Sequence, residues 1–221
     1  MGIRENLQQV REKVRLAAAR AGRDLQQIKI IAVTKRVEVS RMREVVQQSI
    51  VDLGENRVQE LIDKINALPA DINWHMIGHL QTNKVKYIVG RVNLIHSLDS
   101  WSLAEEIHRR AVNLEVTTRV LVQVNTSGEK TKYGISPEEL ADFLAALRDL
   151  PQISVQGLMT IAPYAQNPEE VRPYFRELRL LATAHNLEHL SMGMTNDFEV
   201  AVEEGADMLR LGTAIFGSRA N

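Results

Sequence analysis

The chain has 221 residues, 44% of them hydrophobic and 25% charged, and its 27 Lys and Arg against 28 Asp and Glu give a formal net charge of -1. That length suits one sizeable core, and a near-neutral balance with no long basic block gives no electrostatic basis for binding nucleic acid. The absence of cysteine excludes a disulfide framework, a thiolate nucleophile and cysteine-ligated metal or iron–sulfur centres, leaving amine, carboxylate, imidazole and hydroxyl chemistry.

Residues 1–23 alternate apolar and charged types and lack the apolar centre of a signal peptide. No segment reaches the roughly 18 apolar residues of a membrane span, so a soluble, cytoplasmic protein is expected. Val10, Val14, Leu16, Ala17 and Ala18, with Arg and Glu between them, predict an amphipathic helix that stops near Gly22. Apolar strands are then predicted at residues 28–34, 50–53, 74–77, 94–97, 120–124, 153–159, 189–190 and 208–211, with helical patterns between them. Ser100 reads as the start of a helix over 101–112, and Ser136-Pro137 as a cap followed by proline at the first helical position. With no linker, composition break or repeat beyond this alternation, one domain over residues 1–221 is expected, a (β/α)8 barrel with an extra N-terminal helix. Barrels of this kind commonly run to roughly 250 residues, so the loops are short; an open doubly wound sheet is the alternative.

Strand-end residues carry the chemistry in α/β proteins. Lys35 follows the apolar run of residues 28–34, and strand alternation puts Ile31, Val33 and Lys35 on one face. In a closed barrel the last strand pairs with the first, which brings Arg210 and Gly212 beside Lys35. Two segments, Ser191-Met192-Gly193-Met194-Thr195 and Leu209-Arg210-Leu211-Gly212-Thr213, offer glycine and hydroxyls just before helices, where a phosphate is well received. An amine with a phosphate site suggests pyridoxal 5'-phosphate held as a Schiff base. An ordinary lysine, with a pKa near ~10.4, offers almost no free amine at neutral pH; burial in the barrel mouth and Arg210 nearby are expected to lower it.

Each of these residues has a plainer reading. A lysine at a strand end is usually solvated, Gly193 and Gly212 fit turns or caps, and Asn56, which opens a helix after the second strand, fits a cap. Arg210 between Leu209 and Leu211 is harder to set aside, because an inward guanidinium needs a partner. Thr126-Ser127-Gly128-Glu129-Lys130-Thr131 lacks the first glycine and the Gly-Lys step of a nucleotide-binding loop. His75 and His79 are four apart, but Gly78 and a strand-like setting argue against a metal pair and for ordinary polar residues at a strand end.

Seven segments in order carry a resemblance over nearly the whole chain: Ile31-Ala32-Val33-Thr34-Lys35; Gly54-Glu55-Asn56-Arg57-Val58-Gln59-Glu60; Trp74-His75-Met76-Ile77-Gly78-His79-Leu80-Gln81-Thr82-Asn83-Lys84; Asn125-Thr126-Ser127-Gly128-Glu129; Gly157-Leu158-Met159-Thr160; Ser191-Met192-Gly193-Met194; and Arg210-Leu211-Gly212-Thr213-Ala214-Ile215-Phe216-Gly217. In these it resembles the YggS/PROSC-type pyridoxal phosphate homeostasis proteins, which include the cyanobacterial PipY proteins. The resemblance implies a barrel of the alanine racemase N-terminal type carrying pyridoxal phosphate on Lys35. It further implies Ser191, Gly193, Gly212 and Thr213 around the phosphate, Arg210 facing the pyridine nitrogen and Asn56 near the ring. Arg57 stands where many members carry an aromatic residue, and Thr195 where serine is common.

A guanidinium at the pyridine nitrogen disfavours its protonation and weakens the ring as an electron sink. Alanine racemases of related fold add a second base from a C-terminal β-domain, and no room for one is expected here. The leading expectation is therefore a non-enzymatic cytoplasmic monomer that holds pyridoxal phosphate and takes it up, buffers it or delivers it, with apo-enzymes that need it as candidate recipients, and so acts in vitamin B6 and amino- and keto-acid balance. The alternatives are a minimal amino-acid racemase using Tyr133, Tyr164 or a His near the mouth as base, and a structural or interaction barrel with no cofactor.

Overall fold

The computed structural model describes residues 2–129 and 131–217; Met1, Lys130 of the 126–131 segment and residues 218–221 lie outside the described residues. Eight parallel strands close on themselves in sequence order: β1 (Lys29–Val33), β2 (Asp52–Glu55), β3 (Asn73–Met76), β4 (Leu94–Leu98), β5 (Thr118–Gln123), β6 (Ile153–Met159), β7 (His189–Ser191) and β8 (Met208–Leu211). The closing pair sets Ile31 of β1 opposite Arg210 of β8. This bond between first and last strands overturns the open-sheet alternative and delivers the expected (β/α)8 barrel.

Around the strands lie α1 (Ile3–Arg20), α2 (Val39–Gln47), α3 (Val58–Ile65), α4 (Trp101–Asn113), α5 (Leu140–Leu147), α6 (Arg172–Ala184), α7 (Phe198–Glu203) and the single turn α8 (Thr213–Phe216). The extra helix α1 buries Ile3, Leu7, Val10, Val14, Ala17 and Ala18 along one stripe, at spacings of three and four, and packs on α7 and α8. Leu16, grouped with the core residues by composition, lies off that stripe and is 42% exposed. The helix ends as expected, with Gly22 in the left-handed region at φ +64.

Two connections differ from the simple alternation. Between β3 and β4 the chain forms a 3-10 stretch over Thr82–Tyr87 instead of an α-helix. Regular α5 begins at Leu140, although Ser136 and Glu139 exchange the expected capping bonds, Ser136 Oγ accepting from Glu139 N at 3.3 Å and donating to Glu139 Oε2 at 2.8 Å.

Most buried apolar side chains lie between strands and helices in one cluster, while Ile31, Leu94, Leu121, Met159 and Met208 form a smaller cluster inside the barrel. Each such Leu, Ile or Met contributes roughly 1.5–3 kcal/mol by leaving water. The rest of the barrel interior includes His75, His96, Ser191 and Arg210, all buried.

Candidate functional site

A cavity of about 340 Å³ opens at the barrel end where the strands finish, lined among others by Val33, Lys35, Asn56, Ile77, Tyr164, Thr195, Arg210, Gly212 and Thr213. Its volume falls in the range of small-cofactor sites. Strand β1 stops at Val33, and the turn that follows carries Lys35 at the cavity wall with Arg36 in the left-handed region at φ 58.

That turn is held from beneath on both sides of Lys35. Lys64 Nζ donates to Thr34 O at 2.8 Å, and Glu60 Oε2 accepts from Arg36 N at 2.7 Å. Glu55 Oε1 ties the two halves by accepting from Thr34 Oγ1 at 2.6 Å and Lys64 Nζ at 2.7 Å. Burial pushes the Glu55 carboxyl above its ordinary value, against the pull of Lys64 and Thr34. Lys35 itself is exposed, which corrects the expectation of an amine buried in an apolar mouth. The strand ends two residues before it, so its side chain starts from a turn at the rim.

Asn56 follows β2 and reaches the same cavity; its Oδ1 is buried without a hydrogen-bond partner among the described residues. Such an atom costs stability unless something in the cavity satisfies it. On the opposite wall, a Cβ added at Gly212 would meet nothing nearer than Val33 at 3.5 Å, so the protein's own packing does not demand glycine there. The space such a side chain would take belongs to the cavity. Thr195 Oγ1 accepts from Ala214 N at 3.2 Å, joining the loop that follows β7 to α8.

Arg210 is 4% exposed, its guanidinium donating to Ser191 Oγ at 2.6 Å through Nη1 and to Thr160 O at 2.8 Å through Nη2. Burial lowers it to about 10, opposed by the Asp197 carboxylate, so it stays cationic at neutral pH. Its expected partner is thus a hydroxyl and a carbonyl, with no carboxylate in direct contact.

The structure gathers Lys35, Asn56, Arg210, Gly212 and Thr213 around one cavity, but Ser191 and Gly193 are not among its lining residues. Ser191 turns inward beneath Arg210, where its hydroxyl also meets His96 Nδ1 at 2.8 Å. Gly193 has φ 90, and a Cβ there would lie 2.6 Å from Ala201 Cβ on α7, so folding alone explains that glycine.

Sequence reasoning missed the loop after β6, which brings Ile161, Ala162, Pro163 and Ala165 to the cavity, as well as Asn196 and Asp197 beyond β7. Tyr164, a base on the racemase alternative, lines the cavity yet is 82% exposed. His75 is not a polar residue at a strand end: it is 2% exposed inside the barrel, with Nε2 2.9 Å from Asp52 Oδ1 and Nδ1 2.9 Å from His96 Nε2. The available signal was a histidine inside each of two apolar segments, Trp74-His75-Met76 and Ile95-His96-Ser97. His79 faces Asp99 at 2.9 Å and stacks on Tyr133 at 3.8 Å between ring centres. Among the described residues no His, Cys, Asp and Glu cluster could hold a metal.

Eight closed parallel strands, an amine at the end of the first and an inward guanidinium on the last define a barrel of the alanine racemase N-terminal domain type, and that family matches residues 5–220. The pyridoxal phosphate homeostasis protein of Aquifex aeolicus (strain VF5) is 48% identical over 226 residues, spanning 99% of this chain and 99% of that one. The chain belongs to the family of pyridoxal phosphate homeostasis proteins. Among solved structures, PipY of Synechococcus elongatus PCC7942 with PLP bound is 36% identical, with a TM-score of 0.81 over 94% of this chain and 100% of that one. A protein from Bifidobacterium adolescentis superposes with a TM-score of 0.92 at 33% identity, over 97% of this chain and 94% of the other.

Proposed function

We propose that this protein binds pyridoxal 5'-phosphate covalently through Lys35 and acts in vitamin B6 and amino- and keto-acid homeostasis by holding and supplying it, with little or no turnover of its own. The observation that carries this reading is the meeting of Lys35, from the first strand, with Arg210 and Gly212, from the last, at one cavity of cofactor size. When bound, the group supplies an aldehyde that condenses with an amine and a ring that withdraws electrons. Gly212 leaves backbone exposed to the phosphate, with the Thr213 and Thr195 hydroxyls beside it, and the unpaired Asn56 Oδ1 lies ready for a ring donor. Arg210 presents a cation toward the ring nitrogen. Ser191 then supports the site through Arg210, and Gly193 through the packing of its loop on α7.

Restricted turnover follows from the same residues. A buried, cationic Arg210 opposes protonation of the ring and so weakens carbanion chemistry. Of the expected bases, Tyr133 stacks on His79, which itself pairs with Asp99. Tyr164 at the cavity is the observation that favours a minimal racemase as second reading; a racemisation rate that collapses in Tyr164→Phe would establish it. Among the described residues no helix is long and apolar enough to cross a membrane, which is consistent with the proposed site of action in the cytoplasm, as a monomer that supplies apo-enzymes.

The test is the visible spectrum of the purified protein before and after borohydride, followed by peptide mapping. The expected result is a yellow band that reduction converts to a pyridoxyl adduct on Lys35. Lys35→Ala should abolish the adduct while the phosphate pocket still takes up a weakly held, dialysable fraction. A protein that stays colourless with added pyridoxal phosphate, or an adduct unaffected by Lys35→Ala, overturns the reading.

A further inference from the structure

Four hydrogen bonds run through the barrel from the cavity wall to its other end: Arg210 Nη1 to Ser191 Oγ at 2.6 Å, Ser191 Oγ to His96 Nδ1 at 2.8 Å, His96 Nε2 to His75 Nδ1 at 2.9 Å, and His75 Nε2 to Asp52 Oδ1 at 2.9 Å. The five groups come from β8, β7, β4, β3 and β2. At one terminus a guanidinium can only donate, and at the other a carboxylate can only accept. With both imidazoles neutral, one arrangement of protons satisfies every link. Arg210 donates to Ser191, Ser191 to His96 Nδ1, His96 Nε2–H to His75 Nδ1, and His75 Nε2–H to Asp52.

The surroundings favour that arrangement. Burial holds His75 below its ordinary value against the pull of Asp52, and holds His96 well below it, so both rings stay neutral. Burial would raise Asp52, but the His75 and Lys29 contacts outweigh it and keep the carboxylate charged. Asp52 and His75 border a second cavity of about 200 Å³ at the strands' beginnings, which also presents Lys29, Arg119 and His189. Lys29 Nζ lies 3.2 Å from Asp52, and His189 is paired to Asp207. At the other terminus, Asp197 is the charged group that acts on Arg210.

We propose that Asp52, at the barrel end remote from Lys35, sets the direction of every proton in this chain, so that Ser191 Oγ is held as an acceptor and fixes the orientation that Arg210 presents to the cavity. His75, His96 and Ser191 are then positioning residues for the site. The consequence for a bound pyridine ring rests on the proposed function; the proton direction does not.

The test begins with the full chain free of ligand, its histidines labelled with 15N. Between about pH 5 and 8, where an ordinary histidine titrates, His75 and His96 are expected as neutral Nε2–H tautomers. In Asp52→Asn the amide can donate to His75, and the His96 proton should move to Nδ1 in a large fraction of molecules. A second pair guards against misfolding: His75→Leu cuts the chain and should leave His96 as a tautomer mixture, whereas His75→Gln, with a donor and an acceptor of its own, should restore Nε2–H. A wild-type ring that is doubly protonated or carries Nδ1–H, or a His96 tautomer indifferent to both Asp52→Asn and His75→Leu, overturns the proposal.

The visible band of the protein loaded with pyridoxal phosphate supplies the second readout. Its pH midpoint should shift about tenfold in proton concentration in Asp52→Asn. A band that stays put while the His96 tautomer moves overturns the link to Arg210. Failure of the wild type to take up pyridoxal phosphate would overturn the proposed function, and the tautomers would still decide the proton direction.

Discussion

Gly78 shows how closely the backbone constrains the site. A Cβ at this position would lie 2.4 Å from Asn56 O and 2.8 Å from Asn56 Cα, and backbone cannot swing aside as a side chain can. Gly78→Ala is therefore expected to displace the segment that carries Asn56, costing about 1–3 kcal/mol, and to weaken cofactor retention; urea unfolding and a dialysis series check the two effects. An alanine variant with wild-type stability and retention would mean that Asn56 is not held by this contact. Lys35, Asn56, Arg210, Gly212 and Thr213 were legible in the sequence because each sits at or just beyond the end of an apolar strand, where position alone implies the mouth of a barrel. The inward turn of Ser191 beneath Arg210 was not, since it depends on the register that sets Met159 and Met208 opposite it. The role of His96 was hidden for a related reason, beyond the histidine in an apolar segment: its partners His75 and Ser191 lie 21 and 95 positions away. Nothing local distinguishes it from a core histidine.

Helices α6 and α7 are joined by charge as well as by apolar packing. Arg172, Arg176 and Arg179, on one face of α6, converge on Glu204 just beyond α7, at 3.0, 3.0 and 3.1 Å. Burial raises the Glu204 carboxyl, and Arg176 and Arg172 more than reverse that, holding it below its ordinary value. A depressed carboxyl contributes stability that is present above the unfolded value near ~4.3 and is lost as pH falls through the folded one. Glu204→Gln should thus cost about 1–2 kcal/mol at neutral pH, with the difference from wild type closing in acid; denaturant midpoints at two pH values check it. Strands were the most legible elements. The run at 153–159 matched to the residue, and the second strand lay only two residues later than its apolar pattern, because Asp52 and Glu55 at its ends are polar yet paired. The 3-10 stretch at Thr82–Tyr87 escaped notice because three- and four-residue turns bury nearly the same side chains over so short a span.

For the molecule as a whole, the buried imidazoles set the response to acid. His75 and His96 have values depressed by burial, so an unfolded chain binds protons that the folded one refuses. Their contribution is present above the unfolded value near ~6.5 and is lost as pH falls below it, by up to about 1.4 kcal/mol per pH unit for each ring. His189 has the opposite sign: Asp207 raises it, so its contribution is full below ~6.5 and fades as pH rises through the raised value. The urea midpoint should fall between about pH 7.5 and 5.5, and fall less steeply in His96→Asn; equal slopes would show that His96 is not held neutral.

The seam between β1 and β8 has a consequence for the protein's birth as well as its shape. Lys35 leaves the ribosome long before Arg210 is made, so an emerging chain carries this amine before the strand that would complete the cavity exists. On the proposed reading, capture of the aldehyde waits for the final strand to dock. A ligand confined to the docked form favours it by RT ln(1 + [L]/Kd). The vitamin then serves as a clasp on its own container, and a cell short of it should hold a larger share of these barrels with the seam undone.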